Sequence, residues 1–216
     1  MLKNLPVKEI LKINCKMLNI NLIDDDYIFF EVNQFKKKFY LDNILDLEKL
    51  EYIVFHYDEK WELDNYSKLF KKAKNLTDIN ISKKSFSNFL YKLSEKKSMS
   101  LILTTGYLDT NLINEIKKDS KKIETSLYEL NFKNKKIFLI TDQNFFSMSH
   151  LISKSNLFIS CHGAFTHIAS NFNIKMLDII EKSKKTHYSR ITHHMKNYKA
   201  IYRKNSSELF SEIINF

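Results

Sequence analysis

From Glu51 onward, short apolar runs alternate with amphipathic stretches. Tyr52–His56, Leu101–Thr105, Lys136–Thr141, Leu157–Ser160, Met176–Ile180 and Ala200–Tyr202 are brief and largely apolar, and each predicts a strand buried on both faces. Between them apolar residues recur at helical spacing, which predicts helices over Ser85–Leu93, Thr110–Lys118, Ser147–Ser153 and Thr166–Phe172. A last helix runs from Ser206 or Ser207 to Ile214, and Asp109 or Thr110 is the cap of the second helix. Doubly buried strands separated by helices predict a doubly wound, Rossmann-like α/β domain with a parallel sheet over residues 51–216. Right-handed crossovers line up the strand-to-helix loops on one edge, where such folds bind ligands.

Residues 1–50 carry a different pattern. Pro6–Leu18 has apolar residues at helical spacing (Val7, Ile10, Leu11, Met17, Leu18), and Tyr27–Val32 reads as a strand. The lysines of Gln34–Lys38 lead into a strand or turn through Tyr40, and Leu41–Leu50 reads as a connector. This is too little for a core of its own, so an appendage or inter-domain linker is expected there.

Composition narrows the function classes. The chain has 216 residues, 44% of them hydrophobic, with 17 Phe and 11 Tyr, which is enough for a packed core. No apolar run approaches the roughly 18–20 residues of a membrane span, and MLKNLPVKEILKINCK lacks the apolar centre of a signal peptide. Cys15 and Cys161 are far apart and in no metal-ligand spacing. A cytoplasmic, reduced protein without a metal is expected. The net charge of +10 comes almost wholly from Lys, with only Arg190 and Arg203 as Arg. Abundant Lys, Asn, Ile, Phe and Tyr beside scarce Gly and Pro looks like an AT-rich codon bias. Nucleic-acid readers concentrate Arg for bidentate contacts, so that partner class is disfavoured. Attraction to anionic ligands, or to the inner face of an anionic membrane, remains.

The chain has only two glycines, and both end a predicted strand: Gly106 in LILTTG and Gly163 in LFISCHG. Glycine serves where φ must be positive or where something approaches closely. A tight turn without a ligand is the plain alternative. Gly163 sits in the most informative segment, residues 156–181, which runs strand, glycine turn, helix, strand. His162, Gly163, Ala164, Phe165, Thr166 and His167 fall where helix amides are unpaired, and such a terminus suits a diphosphate. Thr166 could cap the helix or bind a phosphate oxygen; His167 could donate to a departing phosphate. Cys161 points away from His162, as adjacent strand residues do, and reads as a small buried residue rather than a nucleophile. His187, His193 and His194 have no recognised ligand spacing.

The Gly163 segment resembles the donor-site signature of the heptosyltransferase-type family (glycosyltransferase family nine). There an apolar strand leads to Asp-Thr-Gly, two variable residues, a His and an Ala-rich helix. Ser147-MSHLISKSNLFIS resembles the approach to that signature, His56-YDEKW resembles the family's Lys-Trp loop after a strand, and Leu101–Gly106 its next strand and glycine turn. Cys161-His162 replaces Asp-Thr, and His167 follows Gly163 by four residues rather than three. HGAFTHIAS…KMLDIIE also resembles the HGAGLT…VIEI motif of family sixty-one, which shares the fold and uses other donors.

These resemblances imply the C-terminal, donor-binding half of a GT-B glycosyltransferase of hexosyl or heptosyl type. Such an enzyme moves a sugar from a nucleotide sugar to a glycan or lipid-linked acceptor and needs no further cofactor. They make His167 catalytic and place Lys60, Thr104, Thr105, Gly106, Asp142, His162, Gly163, Ala164, Phe165 and Thr166 at the donor. Lys60 reads equally as a solvated surface lysine. Asp178 and Glu181 would bind ribose or sugar hydroxyls, or serve as a cap or surface charge. The acceptor's general base would belong to the N-terminal half, which has no counterpart here. A truncated or split gene, a second chain with the acceptor domain, and a non-catalytic nucleotide-binding or interaction module all stay open.

Overall fold

The computed structural model describes residues 40–63 and 76–216, apart from 109, 133 and 173. The expected elements Pro6–Leu18 and Tyr27–Val32, the lysines of Gln34–Lys38 and the alternative cap Asp109 lie outside the described residues.

The apolar runs do form strands: β1 (Tyr52–Tyr57), β2 (Ser100–Thr105), β5 (Ile137–Ile140), β6 (Leu157–Cys161), β7 (Lys175–Ile180) and β8 (Tyr198–Tyr202). They are joined by β3 (Lys121–Glu124) and β4 (Leu127–Glu129), a hairpin absent from the sequence reading. Its first strand is exposed at every position, so it carries no apolar signal; it is held by antiparallel pairing to β4, which pairs in turn with β5.

Among the described residues, the sheet has eight strands in the order β3-β4-β5-β2-β1-β6-β7-β8, and from β5 to β8 every pairing is parallel. Counting the parallel strands along the chain, this is the 3-2-1-4-5-6 order of the dinucleotide-binding fold. The order reverses between β1 and β6. At such a switch point the loops on either side diverge and leave a crevice at the carboxyl ends of the strands.

Both faces are covered. On one, Phe55, Ile53 and Leu103 of the sheet pack with Phe86, Phe89 and Leu93 of α2 (Lys83–Lys97) and with Ile113 of α3 (Asn111–Asp119). Leu209 and Phe210 of α7 (Ser206–Asn215) complete that layer, with Phe89 and Phe210 stacked 4.1 Å apart. On the other face, Val54, Ile102 and Phe158 pack with Met148 and Leu151 of α4 (Phe145–Ser153) and Ala169 of α5 (Ala164–Asn171). Each large apolar side chain so buried contributes about 1.5–3 kcal/mol.

Leu41 of α1 (Tyr40–Leu45) and Leu47 are fully buried in this second layer, and Asp42 meets His150 of α4 at 2.9 Å. Residues 40–50 thus pack on the sheet rather than merely leading to it. A further helix, α6 (Lys185–Thr192), follows β7 through a 3-10 turn at Lys182–Lys184. Largely exposed, it shows little of the apolar periodicity that marks the others. Among the described residues, no helix is long and apolar enough to cross a membrane.

Candidate functional site

The site begins where β1 ends. Asp58 caps a 3-10 turn, Glu59–Trp61, by accepting the Lys60 amide at 3.1 Å, and Trp61 anchors the turn by donating Nε1–H to the His56 carbonyl at 3.0 Å. Trp61 is buried against Phe55 and Tyr57. The anchored turn sends its two solvent-side residues to opposite neighbours. Glu59 lies over Gly106 and Lys60 lies over Gly163.

A Cβ on Gly106 would come within 2.6 Å of the Glu59 carboxylate and 2.9 Å of Asp58 Cβ; one on Gly163 would come within 2.7 Å of Lys60 Nζ. Neither glycine has positive φ, and Gly163 is extended at φ −172°. Of the two reasons for glycine weighed from the sequence, positive φ is therefore corrected, and close approach is the operative one. The approaching groups are the chain's own Glu59 and Lys60.

Lys60 Nζ pairs with Asp58 at 2.7 Å and donates to the His162 carbonyl at 2.7 Å and the Cys161 carbonyl at 3.4 Å. Burial raises the Asp58 carboxyl above its ordinary range despite the opposing pull of Lys60 and Arg203. Glu59 accepts the Leu108 amide.

Across the crevice, α5 starts at Gly163. The Gly163 amide donates to Thr166 Oγ1 at 3.3 Å, and that hydroxyl donates to Asp178 Oδ1 at 3.3 Å, which leaves Ser160 Oγ as the donor to Thr166 at 3.2 Å. The amides of Ala164 and Phe165 belong to the helix's first turn and have no helical carbonyl to bond. Between this helix start and the Lys60 turn lies a cleft of about 210 Å³, lined by Lys60, Gly106, Tyr107, Gly163, Ala164 and Phe165 among others. His56 forms part of its wall, edge-on to Phe165 at 5.1 Å and hydrogen-bonded through Nδ1 to Thr104 Oγ1 at 3.0 Å. Burial, with Lys60 assisting, lowers His56 to about 3, so the ring is neutral at any physiological pH.

On the far side of the Gly163 turn lies a second set of polar groups. Asp178 is wholly buried in β7; its Oδ2 accepts from His162 Nδ1 at 2.6 Å and from the Tyr198 hydroxyl at 2.9 Å. The His162 ring meets His167 at 5.3 Å and Tyr188 of α6 at 4.7 Å. Burial first, then His162 and His194, lower the pKa of His167. Asp178 thus serves the chain's own residues rather than standing open to a ribose. Glu181 is likewise engaged, accepting from the Thr77 amide at 2.7 Å and its hydroxyl at 3.0 Å.

The structure brings Lys60, Gly106, Gly163, Ala164, Phe165 and Thr166 together around the cleft. His162 contributes its carbonyl there and turns its ring to Asp178. Thr104 is buried behind His56, and Thr105 is nearly so. His167, outside the cleft lining, stands beside His162. Asp142 is exposed after β5, bonded to Thr141 Oγ1 at 2.8 Å and two strands from β1. Cys161 is buried and its thiol is pushed up to about 12, which makes it a poor nucleophile. Among the described residues, no three His, Cys, Asp or Glu side chains are grouped to hold a metal.

Sequence reasoning passed over His56, Asp58, Glu59 and Arg203. Buried Arg203 donates Nε–H to the Thr77 carbonyl at 2.9 Å and Nη1–H to the Lys60 carbonyl at 2.7 Å, which braces the Lys60 turn; among the described residues, Nη2 has no hydrogen-bond partner. Its rarity in a lysine-rich chain was a readable signal, because only a guanidinium spans two carbonyls in a fixed fork.

No family model matches the chain, and no curated protein does. Solved structures match at the level of the fold, a Rossmann-like α/β domain. UDP-GlcNAc 2-epimerase from Methanocaldococcus jannaschii, in complex with UDP-GlcNAc and UDP, superposes with a TM-score of 0.52 at 13% identity, over 96% of this chain and 53% of that one. Another structure of UDP-GlcNAc 2-epimerase from the same organism gives 0.48 at 11% identity, over 86% and 44%. The wall teichoic acid polymerase TagF gives 0.41 at 13% identity, over 85% and 40%. The chain spans about half the length, or less, of each of these proteins.

Proposed function

We propose that this chain is the nucleotide-sugar-binding half of a GT-B glycosyltransferase, and that the cleft between β1 and β6 holds the donor's diphosphate. The observation that carries this reading is the coincidence of three features at one switch point: a cleft, the open first turn of α5, and a lysine beside both. The first-turn amides and the helix dipole attract an anion, and Lys60 adds a positive charge beside them. The epimerase of like fold was solved with UDP-GlcNAc and UDP, which supports a sugar nucleotide as the ligand class. The glycine-turn motif, with its likeness to glycosyltransferase families nine and sixty-one, favours transfer over epimerisation. A histidine at the start of α5 would supply the proton that the leaving diphosphate takes up. The acceptor and its general base would be held by a second domain or partner chain.

Calorimetric titration with UDP-, GDP- and ADP-sugars tests the reading. At least one is expected to bind, and Lys60→Ala is expected to weaken it by about tenfold to a hundredfold, the value of one charge-assisted hydrogen bond. Circular dichroism of the variant checks that the Asp58 turn still folds. No binding by any nucleotide overturns the proposal. A nucleotide-binding module without transfer activity is the second reading, and one observation favours it: the Lys60 ammonium is already held by Asp58 and two carbonyls. Binding without transfer, even with the acceptor domain supplied, would select it.

A further inference from the structure

Resting on that reading, we infer that the Gly106 side of the cleft reads the ligand's nucleoside end: Glu59 accepts hydrogen bonds from its hydroxyls, and Tyr107 offers the base a face to stack on. The two sides of the cleft differ in chemistry. At Gly163 stand donors, the first-turn amides of α5 and the Lys60 ammonium. At Gly106 stands an acceptor. The Glu59 carboxylate lies over that glycine and forms part of the cleft lining. A carboxylate repels a phosphate and takes hydrogen bonds only from donors. In a sugar nucleotide the diphosphate is the acceptor, and the hydroxyls of ribose and sugar are donors. The ligand class proposed for this cleft therefore carries both complements.

Glu59 is held in place for such a contact. Asp58 caps its turn, Trp61 anchors it, and the carboxylate accepts the Leu108 amide. One amide uses one of about four acceptor positions on a carboxylate, so capacity for a hydroxyl pair remains. Gly106 keeps the place clear, since a Cβ there would meet the two carboxylate oxygens at 2.6 and 2.8 Å. With β1 between β2 and β6, Gly106 and Gly163 follow strands two spacings apart, about 10 Å. A nucleoside diphosphate reaches across such a gap with its ribose at one end and its outer phosphate at the other.

The volume supports the same orientation. The cleft holds about 210 Å³, less than the roughly 300–1,000 Å³ of pockets that bury a whole small ligand. Part of a sugar nucleotide must lie outside it. Tyr107 stands there, bordering the cleft yet 95% exposed. A flat ring so placed can stack on a base, whichever base the ligand carries.

Calorimetry on the intact chain tests the inference with inorganic pyrophosphate, with UDP, GDP and ADP, and with their 2′-deoxy and sugar-linked forms. Gln at position 59 keeps an oxygen for the Leu108 amide, and Tyr107 is exposed, so both Glu59→Gln and Tyr107→Ala are expected to keep the wild-type urea midpoint. Glu59→Gln is expected to weaken the nucleoside diphosphate that binds by about tenfold to a hundredfold, and to leave pyrophosphate as tight or tighter. Removal of the 2′-hydroxyl is expected to cost a similar factor in wild type and far less in Glu59→Gln. If the sugar supplies the hydroxyls instead, the loss is confined to the sugar-linked forms. Tyr107→Ala is expected to weaken nucleotides by about tenfold and to spare pyrophosphate. A Glu59→Gln variant that tightens every probe alike would make the carboxylate only a repelling charge. One that weakens pyrophosphate as much as nucleotides would make it a prop of the turn, and one without effect would make it a bystander. Each of these overturns the inference and leaves the donor-site reading standing. Failure of every nucleotide to bind overturns both.

Discussion

A glycine can be demanded by a neighbour as readily as by its own dihedral angles. Gly163 is extended, a conformation open to any residue, yet a methyl group there would displace the Lys60 ammonium. Gly106 similarly gives room to Glu59. The residues between β1 and α2 therefore explain both glycines of the chain. His56, a polar end to an apolar strand, makes a prediction at the same scale. In the unfolded chain its ring takes up a proton near 6.5, whereas in the folded protein it stays neutral down to about 3. The neutral ring's contribution to stability is complete above 6.5 and is lost as pH falls toward 3, at about 1.4 kcal/mol per pH unit. Urea unfolding across that window should show a shallower acid loss for His56→Gln than for wild type. Equal slopes would mean that the ring is protonated in the folded state.

Elements are tied together at the carboxyl edge by groups that belong to none of the helices. Arg203, just after β8, joins the Lys60 turn to the Thr77 segment, and Glu181, just after β7, holds Thr77 again. Arg203→Lys can restore one of these carbonyl bonds but not both, and it leaves the other carbonyl buried. A loss of about 2–3 kcal/mol is expected, read as a lower urea midpoint. An unchanged midpoint would show that water replaces the fork. The helices themselves are started by local chemistry. Ser82 and Ser85 form a capping box on α2, Thr110 caps α3, and Asn144 caps α4. Such residues were readable in advance, because a short side-chain oxygen satisfies an orphan amide wherever it stands.

For the whole molecule, an excess of lysine acts at a distance. With a net charge of +10, the surface is expected to draw in the negatively charged nucleotide that the proposed donor site would bind. Raising salt from about 0.1 M to about 1 M shortens the screening length from about 10 Å to about 3 Å. Stopped-flow association of UDP is therefore expected to slow by about an order of magnitude. A rate indifferent to salt would confine the attraction to the cleft. The chain spans about half the length of the epimerase whose fold it shares.

What the amino-acid order determined alone is the strand and helix sequence of the parallel core, the edge on which its loops gather, and the Gly163 turn as the start of a helix. These follow from side-chain periodicity and local capping, which act over a few residues. Only the tertiary structure decided that β1 lies beside β6, so that Lys60 faces Gly163 about a hundred positions away and a cleft opens between them. It alone paired His162 with Asp178, and it alone engaged Glu181 with Thr77. The exposed hairpin β3-β4 and the polar α6 were likewise settled by pairing and packing. The physical reason is the same in each case. Burial and hydrogen-bond partnership depend on which strands become neighbours, and that choice belongs to the folded sheet rather than to any stretch of the chain.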